Sequence, residues 1–130
     1  MTRQEMPKAQ NWRLSVFWCA VILIGTSIPG ALLHGVPLLP GADKFVHAFL
    51  YGTLGFLCWR SGLLEPTTEG TRRLIVLWAL IALFAVFDEW HQQFIPGRST
   101  DVADWLADMA GATIGLTISR AAPGRRGLVS

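Results

Sequence analysis

Four apolar stretches, residues 14–28, 45–59, 74–87 and 102–118, divide the chain, and charged or turn-forming residues separate them. Arg13 is followed by no Asp, Glu, Lys or Arg until Asp43, and similar gaps separate Lys44 from Arg60, Arg73 from Asp88 and Asp108 from Arg120. The stretch 74–87 has no polar face, which a helix on the surface of a soluble protein needs. The pattern predicts an all-α fold, a four-helix transmembrane bundle, with a water-soluble bundle as the alternative. Each stretch is shorter than the roughly 20 residues that usually span hydrocarbon. The helices are therefore expected to run past their apolar cores, with polar ends turned into the bundle or with Lys and Arg reaching back to the interface.

Between the stretches, Pro29, Gly30, Gly35, Pro37, Pro40 and Gly41 punctuate a first loop that is itself apolar. Pro66, Thr67 and Thr68, with Glu65 and Glu69, mark a solvated second turn, and Pro96-Gly97 breaks the chain before the fourth helix. There Ser99, Thr100 and Asp101 can cap the helix N-terminus. The fourth helix carries Ala103, Ala107, Gly111 and Gly115 at four-residue spacing, a ridge on which another helix can approach closely.

Composition agrees with a membrane setting: 52% of the chain is hydrophobic, 15% is charged, and the mean hydropathy is +0.40. The net charge of +2 forms no single basic patch, so nucleic acid is not an expected partner. The basic residues mark topology instead. Arg3, Lys8 and Arg13 precede the first helix, Arg60, Arg72 and Arg73 flank the second loop, and Arg120, Arg125 and Arg126 follow the last, whereas loops one and three hold only Lys44 and Arg98. By the positive-inside rule both termini are cytoplasmic. Residues 1–11 are then a cytoplasmic segment, 12–120 a membrane domain and 121–130 a cytoplasmic tail. A cleaved signal peptide is the rival reading of the N-terminus, but no small-x-small site follows Ile28. Cys19 and Cys58 lie within apolar stretches and read as free thiols.

The ionisable residues gather at the outer side. In the second helix Lys44, His47 and Tyr51 share a face, with Asp43 one turn before His47; in the fourth, Asp101, Asp104 and Asp108 repeat that spacing. Asp88, Glu89, Gln92 and Gln93 end the third. A carboxylate in the depth of a bilayer costs roughly 3 kcal/mol or more when unpaired, so these groups should face one another, a cavity or a ligand. Salt bridging by Lys44 and Arg98 is the structural explanation, but acidic residues outnumber basic ones. Arg98, ahead of a helix N-terminus, could instead join Lys44 in clamping a phosphate or carboxylate, or pair with Asp101 or Asp104. A divalent cation is a candidate cofactor, and His34, His47 and His91 all fall on this side; no His-Glu-x-x-His motif or cysteine pair marks a metal site. No serine lies in a nucleophile turn.

Asp43-Lys44-x2-His47-x3-Tyr51, Asp88-Glu89-x2-Gln92-Gln93-Phe94-x-Pro96-Gly97-Arg98-x2-Asp101-x2-Asp104 and Gly111-x3-Gly115 together resemble the VanZ-like family of small bacterial membrane proteins over residues 43–115. The resemblance implies a polytopic protein of the bacterial cytoplasmic membrane, in a family some of whose members contribute to resistance to glycopeptides such as teicoplanin. Asp108 stands where the family often has Asn, which adds a titratable group at depth. The expected function is an outer-leaflet cleft that binds a lipid head group or lipid-linked envelope precursor through Lys44, His47, Tyr51, Glu89, Gln92, Arg98, Asp101, Asp104 and Asp108. The alternative is an enzyme with His47 and Asp88 or Glu89 as acid and base. A proton-linked transporter built on Asp108 is disfavoured, because the inner half offers no polar path.

Overall fold

The computed structural model describes residues 11–30, 41–61, 63–64 and 68–122. His34 and the terminal basic residues Arg3, Lys8, Arg125 and Arg126 lie outside them. The described residues form four helices and no strand: α1 Asn11–Thr26, α2 Ala42–Arg60, α3 Gly70–Gln92 and α4 Val102–Ala121.

Local chemistry sets the helix ends. α1 stops at Thr26, short of the apolar run's end, because Pro29 biases the residue before it away from helical geometry. The Ser27 hydroxyl turns back onto the Leu23 carbonyl. α2 starts after Gly41, whose φ of 84° suits glycine. Glu69 caps α3 by accepting from the Thr71 and Arg72 N–H groups. Of the three residues expected to cap α4, Asp101 does so, accepting from the Ala103 N–H. α2, α3 and α4 outrun their apolar cores, as α3 does through Asp88 to Gln92.

α2 and α4 run parallel in backbone contact. A Cβ on Gly55 would lie 2.6 Å from the Ala112 carbonyl oxygen, and one on Gly111 or Gly115 would collide with the Ala48 or Gly52 carbonyl. The small-residue ridge of α4 therefore packs at its Gly111 and Gly115 end, whereas Ala103 is exposed. α3 and α1 run the other way and close the core around Ile22, Tyr51, Leu54, Leu77, Ile81 and Leu116. At the end where α2 and α4 finish, the Arg73 guanidinium donates to the Trp59 carbonyl and lies 4.5 Å from the Trp59 ring centroid, and Arg60 lies over Phe56. Cys19 and Cys58 are free, as expected.

The bundle is apolar outside and polar within at one end. Phe45, Phe49, Leu83, Val102 and Ile114 are exposed, while Asp88 and Asp108 are fully buried. A hydrocarbon surround favours that distribution, and water penalises it. Among the described residues α3 alone is long and apolar enough to cross a membrane; its 23 residues extend about 35 Å at ~1.5 Å each. α1 is shorter at 16 residues, and the polar groups that open α2 and α4 dilute those helices.

Candidate functional site: a polar interior at one end of the bundle

The first turns of α2 and α4 meet the last turns of α1 and α3, and the polar side chains sort into three groups. Outermost, Lys44 Nζ contacts Asp104 Oδ1 at 2.5 Å, Asp101 Oδ2 at 3.1 Å and Asp43 Oδ2 at 3.4 Å. The Ala103 N–H and then the Lys44 ammonium hold the Asp101 carboxyl below the usual carboxylate range.

One turn deeper, His47 Nδ1 lies 2.7 Å from Asp108 Oδ1. Asp108 Oδ2 and both oxygens of half-buried Glu89 are buried without a hydrogen-bond partner, the Asp101 backbone N–H facing Glu89 from outside hydrogen-bonding geometry. One ligand atom each from His47, Glu89 and Asp108 lies within 4.8 Å of the others, so among the described residues this trio is the set that could hold a metal ion. His91 does not join it; its ring stacks on Phe87.

Deepest, Asp88 Oδ1 accepts from the Thr26 hydroxyl at 2.7 Å and Asp88 Oδ2 from the Tyr51 hydroxyl at 3.0 Å. Asp88 and Glu89 are adjacent in sequence, so helical geometry turns them about 100° apart. Asp88 therefore faces α1 and α2, and Glu89 faces α4. Gln92, one turn beyond Asp88, is buried with its Nε2 unpartnered. Asp108, not Asp88, is the carboxylate bonded to His47.

Arg98 stands apart from the expected anion clamp. Its Nε donates to the Ile28 carbonyl at 2.9 Å and a terminal nitrogen to the Gly25 carbonyl at 3.4 Å, so it caps the C-terminus of α1. Neither expected ion pair, to Asp101 or Asp104, forms. Carbonyls with lone pairs to spare at a helix end attract a guanidinium fork as a carboxylate does. The Gly30 N–H donates to the Pro96 carbonyl, and a Cβ on Gly30 would strike Gly97, so this clasp admits only glycine there.

Beside the trio, a recess of about 260 Å³ is lined by Val86, Glu89, Thr100, Asp101, Val102 and Trp105. The Trp105 indole N–H is unpartnered. Only packing shows that Trp105 walls a cavity. Thr26 was equally hidden, being one hydroxyl at the end of an apolar run.

A family model described as VanZ/LLP1 matches residues 3–123. No curated protein and no solved structure matches the chain.

Proposed function

The chain belongs to the VanZ/LLP1 family, and from that premise we propose that it is a multi-pass protein of the bacterial cytoplasmic membrane whose recess takes a lipid head group or a lipid-linked envelope precursor. Residues 12–120 form the membrane domain in this reading, and the segments 1–11 and 121–130 are cytoplasmic. Arg13, Arg60, Arg72, Arg73 and Arg120 gather at one end, which supports placing that end inside and the recess at the outer leaflet.

The observation that carries the proposal is the recess itself. Val86, Val102 and Trp105 give it apolar walls, and Glu89, Thr100 and Asp101 supply acceptors and a hydroxyl. Such a lining suits an amphiphile that enters sideways, with its polar group inward and its chains in the bilayer. Glu89 and the Trp105 N–H have no other partner, Thr100 and Asp101 lie beside them, and Lys44 holds Asp101 in place. Protection of an envelope precursor from glycopeptides is one physiological form this binding takes.

Lipid analysis of the protein purified in mild detergent tests the reading. One lipid class should be enriched over bulk membrane in the wild type and depleted in Val86→Trp, which fills the recess. The same lipid profile in both proteins sinks the proposal.

The His47–Asp108 bond favours a second reading, an enzyme acting on an envelope lipid or glycan. A carboxylate that orients an imidazole is a common general-base arrangement. Product formation that His47→Ala abolishes distinguishes it from binding alone.

A further inference from the structure

We propose that His47, Glu89 and Asp108 bind one divalent first-row metal ion, Zn²⁺ or Mn²⁺, between α2, α3 and α4. The inference stands whether or not a lipid enters the recess.

Three observations converge on it. The three side chains, from three helices, each bring a ligand atom within 4.8 Å of the others. Asp108 is fully buried, yet its Oδ2 has no partner, and neither oxygen of Glu89 has one. Finally, the nearby cations are committed elsewhere: Lys44 is bound by three other carboxylates, and Arg98 by two carbonyls. Among the described residues no Lys or Arg forms an ion pair with Glu89 or Asp108.

Charge and geometry suit such an ion. Two carboxylates and a neutral imidazole around a dication sum to zero, which removes the cost of unpaired carboxylates in an apolar surround. Metal bonds of about 2.0–2.2 Å place neighbouring ligand atoms roughly 3–3.5 Å apart. The 2.7 Å His47–Asp108 hydrogen bond opens slightly and gives its proton up to solvent as the ion takes its place, and Glu89, which has no hydrogen bond to break, closes in. One nitrogen and two carboxylates match Zn²⁺ or Mn²⁺; Ca²⁺ takes more oxygens, and Cu⁺ favours sulfur. Three protein ligands leave a coordination position open, as sites that engage an exogenous group require.

Two protons taken up by the same three groups would neutralise them too, and metal loading separates the two cases. Detergent-purified protein is stripped with chelator, loaded with Zn²⁺ or Mn²⁺ near pH 8, desalted and measured by elemental analysis. The expected result is one ion per chain in the wild type and a loss of at least tenfold in occupancy in Glu89→Gln and Asp108→Asn. Glu89→Gln leaves no hydrogen bond broken, so its circular dichroism should match the wild type, which keeps the test valid if Asp108→Asn fails to fold. No retained ion in folded wild type, or equal retention in folded Glu89→Gln, overturns the proposal. Lipid enrichment that survives loss of the metal would leave the recess reading intact.

Discussion

The Tyr51 hydroxyl donates to Asp88 Oδ2 across 3.0 Å, tying α2 to α3 through a carboxylate that has no exposed surface. Thr26 holds the other oxygen from α1, so three helices meet on one side chain.

Removing either donor leaves a buried carboxylate oxygen unpaired, which costs about 1–3 kcal/mol. Tyr51→Phe and Thr26→Val should each lower the melting temperature in detergent. The double variant should lose more than the sum, because Asp88 then has no donor left. A strictly additive result would mean that Asp88 has found other partners.

The α2–α4 seam separates glycines that matter from one that does not. Gly115→Leu places a side chain where the Gly52 carbonyl lies and should prevent the helices from packing. At Gly25 a Cβ meets nothing within 4 Å, so Gly25→Ala should hold or raise stability, by up to about 1 kcal/mol, through lower unfolded-state entropy. Thermal unfolding of the two variants checks the contrast.

Arg98 acts on stability through α1, not through an anion. Arg98→Ala exposes the Ile28 and Gly25 carbonyls and should cost about 1 kcal/mol. Arg98→Lys restores one bond at most, because its ammonium is not a planar fork. Amide exchange in residues 22–26 should quicken in both, more in the alanine variant.

Acid should loosen the start of α4. The Ala103 N–H and Lys44 hold the Asp101 carboxyl below its unfolded value, which is about 3.9 for Asp. A depressed folded value means that the cap stabilises at pH above the unfolded value and is lost as pH falls through the folded one. Glu69, held down by the Thr71 and Arg72 N–H groups, acts the same way at the start of α3. The contribution of these two caps should therefore be constant from neutral pH to about 4 and be lost below it, which the difference in melting temperature between wild type and a cap variant reads. Asp101→Ala should melt lower at neutral pH and show a shallower acid decline; an unchanged decline would remove Asp101 as a contributor.

The sequence revealed the helices because long gaps between charges leave little else for an apolar run to become. It also revealed that Lys44, His47, Asp104 and Asp108 share an end of the bundle, since i, i+3 and i+4 spacing fixes a helix face. Partner choice was less legible. Whether His47 meets Asp88 or Asp108 depends on the parallel α2–α4 pairing, and Gly111 and Gly115 showed only half of that seam. Ala48, Gly52 and Gly55 in α2 were the other half, small residues at helical spacing that could have been matched to α4. Arg98 misled for a physical reason: a guanidinium reads as an anion ligand, whereas the carbonyls it serves belong to a helix far away in sequence.

Orientation in the membrane yields the last prediction. Thr71 opens α3 at the arginine-rich end, and Thr100 lies before α4 at the acidic end, so the two mark opposite ends of the bundle. Neither makes a contact that the bundle depends on, and cysteine at either site should leave the fold intact. In a Cys19→Ala, Cys58→Ala background, a membrane-impermeant maleimide added to intact cells should label Thr100→Cys and spare Thr71→Cys. Permeabilised cells should label both. The opposite pattern would put the polar interior at the cytoplasmic face, where arginines would flank the outer side against the usual charge bias. The recess would then meet inner-leaflet lipids, and extracytoplasmic precursors would no longer be its ligands.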